Sequence, residues 1–329
     1  MRNVINSSHD PYLNMAVEEY LLTILSQQDD CFMLWQNSPA IIIGRNQNAW
    51  EEINSEYVKQ HDIAVVRRLT GGGAVYHDLG NVNFTFAVKD GGQGFDFARF
   101  ARPIVRALAQ LGITAEASGR NDILIDGRKF SGNSEYRQGR RLLHHGTLLF
   151  ASDLGVLGQA LQVKPQKIAS KGIKSVRSRV TNIADYLPHP VSQTVFQAAV
   201  MEAVAAEFGA ELRDYHLSLE DLAAINQLRA DKYATWQWNY GQAPKFNLQR
   251  SARYSFGEID VRLQIVGGHI QSCTIYGDFF SNADMSKLTA QLTGRAYERQ
   301  ALAAAIADLD LGRYFPDLSP QAFLQLLID

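Results

Sequence analysis

Arg67-Arg68-Leu69-Thr70-Gly71-Gly72-Gly73-Ala74-Val75-Tyr76-His77-Asp78-Leu79-Gly80-Asn81 places three consecutive glycines between two arginines and an alternating run, Ala74 to Val88, that reads as strand. Glycine tolerates φ > 0 and lets backbone approach a neighbour closely, at a cost of roughly 1 kcal/mol each relative to alanine. Three such costs in a row are accepted mainly where N–H groups must face something. With Arg67 and Arg68 alongside, the natural guest is a phosphate or a carboxylate. The same residues also suit a tight turn joining strand 63–68 to strand 74–77. The arginines and the His77-Asp78 pair favour a site.

Outward from this loop the chain reads as mixed α and β. Upstream, Asp10 and Pro11 form an N-cap and first helical position, and Leu13, Val17, Tyr20, Leu21, Ile24 and Leu25 recur at helical spacing, predicting a helix over 11–27. Short β-rich runs follow at 32–36 and 40–44, then a helix near 52–61. Downstream, residues 96–111 read as a helix ended by Gly112. The stretch 121–150 reads as a meander with turns at Asp126-Gly127 and near Gln138-Gly139; Asp-Gly between alternating runs is a strong hairpin signal. Helices are predicted over 153–161, 190–208 and 218–232. After the Gly/Pro-bearing connection 241–244 come a second β-meander, 250–277, and terminal helices. That order predicts a second, smaller α+β domain starting near 247. Strands do not alternate regularly with helices, which argues against a Rossmann-type sheet.

Composition narrows the function classes. The 329 residues suffice for two domains, and 46% hydrophobic with 20% charged residues is an ordinary globular balance. A net charge of −2 gives no electrostatic reason to expect nucleic acid as a partner. No apolar run approaches the ~20 residues that span a bilayer, and the amino terminus lacks a signal-peptide core. Two distant cysteines, Cys31 and Cys273, fit a reducing cytoplasm.

Four polar clusters accompany the glycine loop. Ser118-Gly119-Arg120-Asn121-Asp122 could serve ribose, base or Mg²⁺ recognition, or cap a turn. On the central strand of the meander, alternation puts Lys129 and Ser131 on one face and Phe130 on the other. His144 and His145, adjacent on a strand, point to opposite faces and cannot chelate one ion; one of them, with Gly146 and Thr147, shapes a pocket wall or is a satisfied core histidine. The run from Lys164 to Arg179 holds six cations, Lys171 and Arg177 among them, and no acid, as a mobile loop with an anionic partner would. Neither cysteine has a neighbouring base, so a thiolate nucleophile has little support. What remains is a site of backbone amides, arginines and a lysine, suited to charge transfer at phosphorus.

These clusters, in this order, resemble lipoate–protein ligase of the biotin/lipoate ligase family. The matching pieces are residues 10–19, 43–48, RRLTGGGAVYHDLGN at 67–81, ASGRNDI at 117–123, GRKFSG at 127–132, HHGTLL at 144–149 and KGIKSVRSRVTN at 171–182. The tail from about 250 resembles the accessory domain of the bacterial two-domain ligases. The resemblance implies a biotin/lipoate ligase-like, class II synthetase-like fold: a mixed or antiparallel sheet flanked by helices over 1–246, and a small C-terminal α+β domain over 247–329.

It further implies a two-step activity. Lipoate's carboxylate attacks the α-phosphorus of Mg-ATP to give lipoyl-adenylate and pyrophosphate, and an acceptor lysine then takes the acyl group. Carried onto the matched positions, ATP contacts come from Arg68, Gly73, Ala74, Val75, Tyr76, Asn121, Asp122 and Lys129, with Asp122 also near Mg²⁺. Lipoate contacts come from Arg68, Gly72, His77, Lys129, His145, Gly146 and Thr147. Lys129 reaches both substrates and is the expected catalytic residue; Lys171 and Arg177 belong to the lid. The acceptors implied are lipoyl domains of 2-oxoacid dehydrogenase subunits and the glycine cleavage carrier protein. The protein is expected to be a cytoplasmic monomer without nucleic-acid or membrane partners. A rival branch of the superfamily uses a cysteine nucleophile downstream of the lysine strand; here 130–190 contains no cysteine.

Overall fold

The computed structural model describes residues 1–90, 96–118, 121–161, 179–209, 211–241 and 246–328. Gly119, Arg120 and most of the basic run, including Lys171 and Arg177, lie outside the described residues. In chain order the strands begin with β1 (Arg2–Ile5), β2 (Cys31–Trp35), β3 (Ala40–Ile43), β4 (Ala64–Arg67) and β5 (Val75–His77). Then come β6 (Asn81–Lys89), β7 (Glu116–Ser118), β8 (Asp122–Ile125), β9 (Arg128–Gln138), β10 (Arg141–Leu149) and β11 (Arg213–His216). The last three are β12 (Leu248–Tyr254), β13 (Gly257–Val266) and β14 (His269–Gly277).

Among the described residues, one mixed eight-stranded sheet has the order β11-β1-β2-β6-β10-β9-β8-β7. Only the β11-β1-β2 side is parallel. The long strand β6 shows how the sheet divides its environments. Val82, Phe84, Phe86 and Val88 enter a core with Phe100 and Ile104 of the helix Phe97–Gln110 and Phe196 and Val200 of the helix Gln193–Phe208. Asn81, Asn83 and Thr85 alternate onto the other face, where the helix Pro11–Thr23 and a three-stranded sheet, β4-β3-β5, cover the main sheet. A polar row under a cover layer is the first structural sign of a site.

Local chemistry explains these elements well. The Asp10 carboxylate accepts from the amides of Tyr12 and Leu13, and Pro11 occupies the first helical turn. That helix stops at Thr23, and a 3-10 turn, Leu25–Gln27, replaces the predicted final turn. Asp126 and Gly127 both take positive φ, 49° and 73°, which makes the two-residue hairpin between β8 and β9.

The C-terminal residues form their own core, in which Ile259, Val261 and Leu263 of β13 pack with Leu288, Leu302, Phe315 and Phe323. This unit seats on the glycine loop. The Gly72 amide donates to the Phe279 carbonyl at 3.3 Å, and the Gly277 amide donates to the Asn46 carbonyl at 2.8 Å. A Cβ on Gly71 would stand 2.4 Å from the Phe279 oxygen, and Gly72 itself has φ 88° beneath the Phe280 ring. Gly71 is therefore required by the neighbouring backbone, whereas a Cβ on Gly73 would meet nothing within 4 Å. At Gly73 no neighbouring atom of the described residues calls for glycine.

Candidate active site

Between the main sheet and its cover lies a narrow cavity of about 120 Å³, walled by Trp35, Arg68, His77, Asn83, Lys129 and His145 among others. A wider cavity of about 550 Å³ adjoins it and adds Tyr76, Asp122, Arg179, Arg253, Asp278 and Phe280. The two share a wall made of Gly72 to Val75, Asn121, Lys129 and Thr147. Every expected substrate contact, from Arg68 to Thr147, therefore lines one of the two spaces. Lys129 stands at their junction.

Lys129 reaches that junction through a β-bulge. The pairing of β8 with β9 slips between Ile123, opposite Ser131, and Leu124, opposite Lys129. Phe130 and Ser131 are both fully buried, Phe130 in the helix-side core, while Lys129 shares the cavity wall with Gly132 and Ser134. The expected pairing of Lys129 with Ser131 on one face is thus corrected, because one extra residue inverts the alternation. Lys129 Nζ lies 2.6 Å from Asp122 Oδ1, over Gly132, where a Cβ would stand 2.7 Å from that Nζ. The Lys129 backbone bonds to Arg179 and Thr181, which brings the end of the basic run beside it.

The two arginines of the loop take separate places. Arg67 does not line either cavity. Its guanidinium donates to five carbonyls, of Gly44, Arg45, Gln47, Trp238 and Asn239, at 2.7–3.0 Å. Arg68 lines the narrow cavity but donates to Thr70 Oγ1 and to the carbonyls of Ile42, Gly71 and Gly73. Burial lowers its pKa only to about 10, so it stays charged at neutral pH. By drawing the Gly71 and Gly73 carbonyls inward, Arg68 fixes the loop's shape and adds a buried positive charge beneath it.

His144 and His145 diverge as alternation requires. His144 sits in the helix-side core, stacked on Phe100 at 4.3 Å with Nδ1 3.0 Å from Glu135. Burial holds its pKa down despite that carboxylate. His145 faces the cavity, with Nδ1 2.9 Å from Glu18 Oε1 and Nε2 2.8 Å from Thr70 Oγ1. Thr85 donates to the same Glu18 carboxylate at 2.6 Å and accepts from Trp35 Nε1 at 2.8 Å. Glu18 thereby anchors a chain that runs through His145 and Thr70 to Arg68. Glu18, Trp35 and Asn83 escaped the sequence reading; the polar alternation Asn81, Asn83, Thr85 was the signal available for Asn83. The C-terminal wall residues Arg253, Asp278 and Phe280 had none.

His77 is buried, and desolvation, then the Arg68 charge, lowers its pKa to about 3 from 6.5. An unfolded chain binds that proton as pH falls through 6.5, whereas the folded ring takes it only near 3. Stability is therefore full above pH 6.5 and falls as the pH is lowered across this window, by about 2 kcal/mol at pH 5 from this group alone. Urea melts at pH 7.5 and 5.0 read the effect, and His77→Phe should reduce the difference.

Burial raises the pKa of both Cys31 and Cys273 to about 12, so neither is a poised nucleophile. Among the described residues no three metal-binding side chains converge, and no helix is long and apolar enough to cross a membrane.

Lys129 thus stands at the junction of a narrow and a wide cavity, beside a glycine loop over a buried arginine. The family model "Lipoyl protein ligase A/B catalytic domain" matches residues 10–208, and "Bacterial lipoate protein ligase C-terminus" matches 243–327. The chain belongs to the lipoyl protein ligase family. It is 44% identical to lipoate-protein ligase LplJ of Bacillus subtilis, over 97% of this chain and 97% of that protein. The crystal structure of P. falciparum LipL1 in complex with lipoate shares the fold, with a TM-score of 0.78, 24% identity, and coverage of 99% of this chain and 98% of that one. Lipoate-protein ligase A bound with ATP gives a TM-score of 0.65 at 25% identity, covering 73% of this chain and 98% of that one. The fold is thus the lipoate ligase fold, with the expected mixed sheet, flanking helices and small C-terminal unit.

Proposed function

We propose that this lipoate–protein ligase holds the lipoyl chain in the narrow cavity and ATP in the wide one, with Lys129 as the catalytic residue between them. The observation that carries this reading is the position of Lys129 on the wall shared by both cavities. A lipoate carboxylate oxygen attacks the α-phosphorus, the bond from that phosphorus to the β-bridging oxygen breaks, and pyrophosphate leaves. The acceptor lysine's amine then attacks the acyl carbon, loses a proton, and AMP departs. Two anions must meet in the first step. The Lys129 ammonium offsets their repulsion and holds the charge that builds on the phosphoryl oxygens.

The loop from Gly73 to Tyr76 lines the nucleotide side, with Arg68 beneath it as a fixed positive charge. Asn121 and Asp122 complete that side. Asp122, paired with Lys129, lines the wide cavity and is a candidate partner for Mg²⁺, which would be held chiefly by phosphate oxygens and water. Gly72, His77, His145, Gly146 and Thr147 wall the lipoyl chain. Acyl-adenylates hydrolyse readily, so the narrow cavity and the basic run with Lys171 and Arg177 serve to exclude water.

Residues 1–246 form the catalytic domain and 247–329 the accessory domain in this reading, and the separate C-terminal core supports that boundary. Acceptor lipoyl domains, those of 2-oxoacid dehydrogenases and the glycine cleavage carrier, are the protein substrates of a cytoplasmic, monomeric enzyme. Pyrophosphate release from lipoate and Mg-ATP without acceptor tests the first step. A rate well above the lipoate-free background is expected. Its absence, with no bound adenylate on mass spectrometry, would leave a carrier-binding protein that kept the fold without the chemistry.

A further inference from the structure

His77 closes β5 at the cavity wall, and its hydrogen bonds determine which nitrogen carries the proton. Asn14 Nδ2 donates to Asn37 Oδ1 at 2.8 Å, so the Asn37 amide turns its NH₂ toward His77 Nδ1, 3.0 Å away. Asn83 Nδ2 approaches the same ring nitrogen at 3.5 Å. Both neighbours are donors, so Nδ1 accepts and the proton of the neutral ring sits on Nε2. That Nε2 is buried, the ring lines the narrow cavity, and among the described residues Nε2 has no hydrogen-bond partner. A buried donor without a partner is costly and points to an acceptor brought by something else.

Its place along the cavity identifies which part of a ligand it meets. Asn83 on β6 pairs with Thr147 on β10, whose Oγ1 accepts from the Gly132 amide on β9 beneath Lys129. Trp35 on β2 pairs with Asn83, and its ring lies 6.0 Å from that of His77. With neighbouring strands ~4.8 Å apart, the path from Gly132 on β9, beneath Lys129 Nζ, to Asn83 crosses about 10 Å, and His77 stands beside Asn83. An extended lipoyl chain, of C–C bonds near 1.5 Å, covers about the same distance from carboxylate to ring sulfurs. With the carboxylate at Lys129, the dithiolane arrives at His77.

We propose that His77 Nε2–H donates to a dithiolane sulfur and thereby selects lipoate over an octanoyl chain of the same carbon count. This rests on the assignment of the narrow cavity to the lipoyl group. An octanoyl tail fills the same space with CH₂ and CH₃ groups and leaves the donor unpartnered. Sulfur is a weak acceptor, so the discrimination is modest, about tenfold in kcat/KM.

The test uses the full chain and pyrophosphate release at saturating Mg-ATP, with (R)-lipoate and octanoate measured separately. In wild type the lipoate-to-octanoate ratio of kcat/KM should be about ten. His77→Phe should bring it near one, mainly by raising the KM for lipoate, with the KM for ATP unmoved; His77→Gln, which keeps an N–H donor, should recover part of the ratio. An unchanged ratio in a folded His77→Phe protein overturns the proposal. The ¹⁵N-edited Nε2–H resonance of His77 in the wild type gives a second reading. It should shift when lipoate is added and not when octanoate is; equal shifts overturn the proposal even if the variant does not fold. Failure of wild type to turn over either acid would instead strike the assigned activity, and the resonance would still report on the sulfur contact.

Discussion

Lys129→Ala is expected to lower lipoate-dependent pyrophosphate release about 10³-fold while leaving the melting temperature nearly unchanged. The loss is large because the ammonium stands where two anions converge, and removing a positioned charge donor from such a centre typically costs 10²–10³-fold or more. The fold is spared because the Lys129 side chain is one-third exposed and its ion pair with Asp122, exposed to the same extent, contributes no more than about 1 kcal/mol. Its backbone bonds to Arg179 and Thr181 do not involve the side chain. Single-turnover assays with and without acceptor, beside a thermal melt, check both halves. Near-normal adenylate formation by the variant would make Lys129 a bystander.

Arg67→Met should do the reverse. The substitution removes the guanidinium from five carbonyls around a buried site, those of Gly44, Arg45, Gln47, Trp238 and Asn239, of which Gly44 still accepts from the Gln47 amide. Hydrogen bonds from a charged donor to buried acceptors are individually worth about 1.5–3 kcal/mol and do not add fully, so a loss of about 4 kcal/mol is expected. Part of the gross energy is already offset by burying the guanidinium, which lowers the Arg67 pKa to about 10. Arg67→Lys should recover little, because three ammonium hydrogens cannot serve five acceptors arranged around a planar fork. Urea denaturation measures the change. Activity per folded molecule should stay within a few-fold of wild type, since the side chain touches neither cavity; a loss as deep as that of Lys129→Ala would refute this division of labour.

The pair Arg67-Arg68 shows the limit of reading residues in isolation. Two adjacent arginines before a glycine run promised two anion contacts. Arg67 ends β4 and Arg68 follows it; the two side chains part, one into a carbonyl cage formed with residues 238–239 and the other beneath the loop. The glycines divide in the same way. Gly71 accommodates a phenylalanine carbonyl from more than two hundred positions later, and Gly73 faces open space.

What periodicity, caps and turn chemistry express is local, and the chain expressed it clearly. The Asp10-Pro11 helix start, the Asp126-Gly127 hairpin, the β8-β9-β10 meander and the opposed faces of His144 and His145 all follow from contacts within a few residues. The set of polar residues that meet at the site was legible too, because their order along the chain matches that of a known family. Their mutual geometry required the whole fold. The bulge that turns Lys129 away from Ser131 depends on which β9 residues find buried partners across the sheet. The proton on His77 Nε2 depends on an asparagine chain drawn from Asn14, Asn37 and Asn83, which lie on a helix, a loop and a strand far apart in sequence. The glycine loop's second neighbour, the Phe279-Phe280 edge of the C-terminal unit, is joined to it by contacts across the length of the chain, and a local pattern carries no record of those.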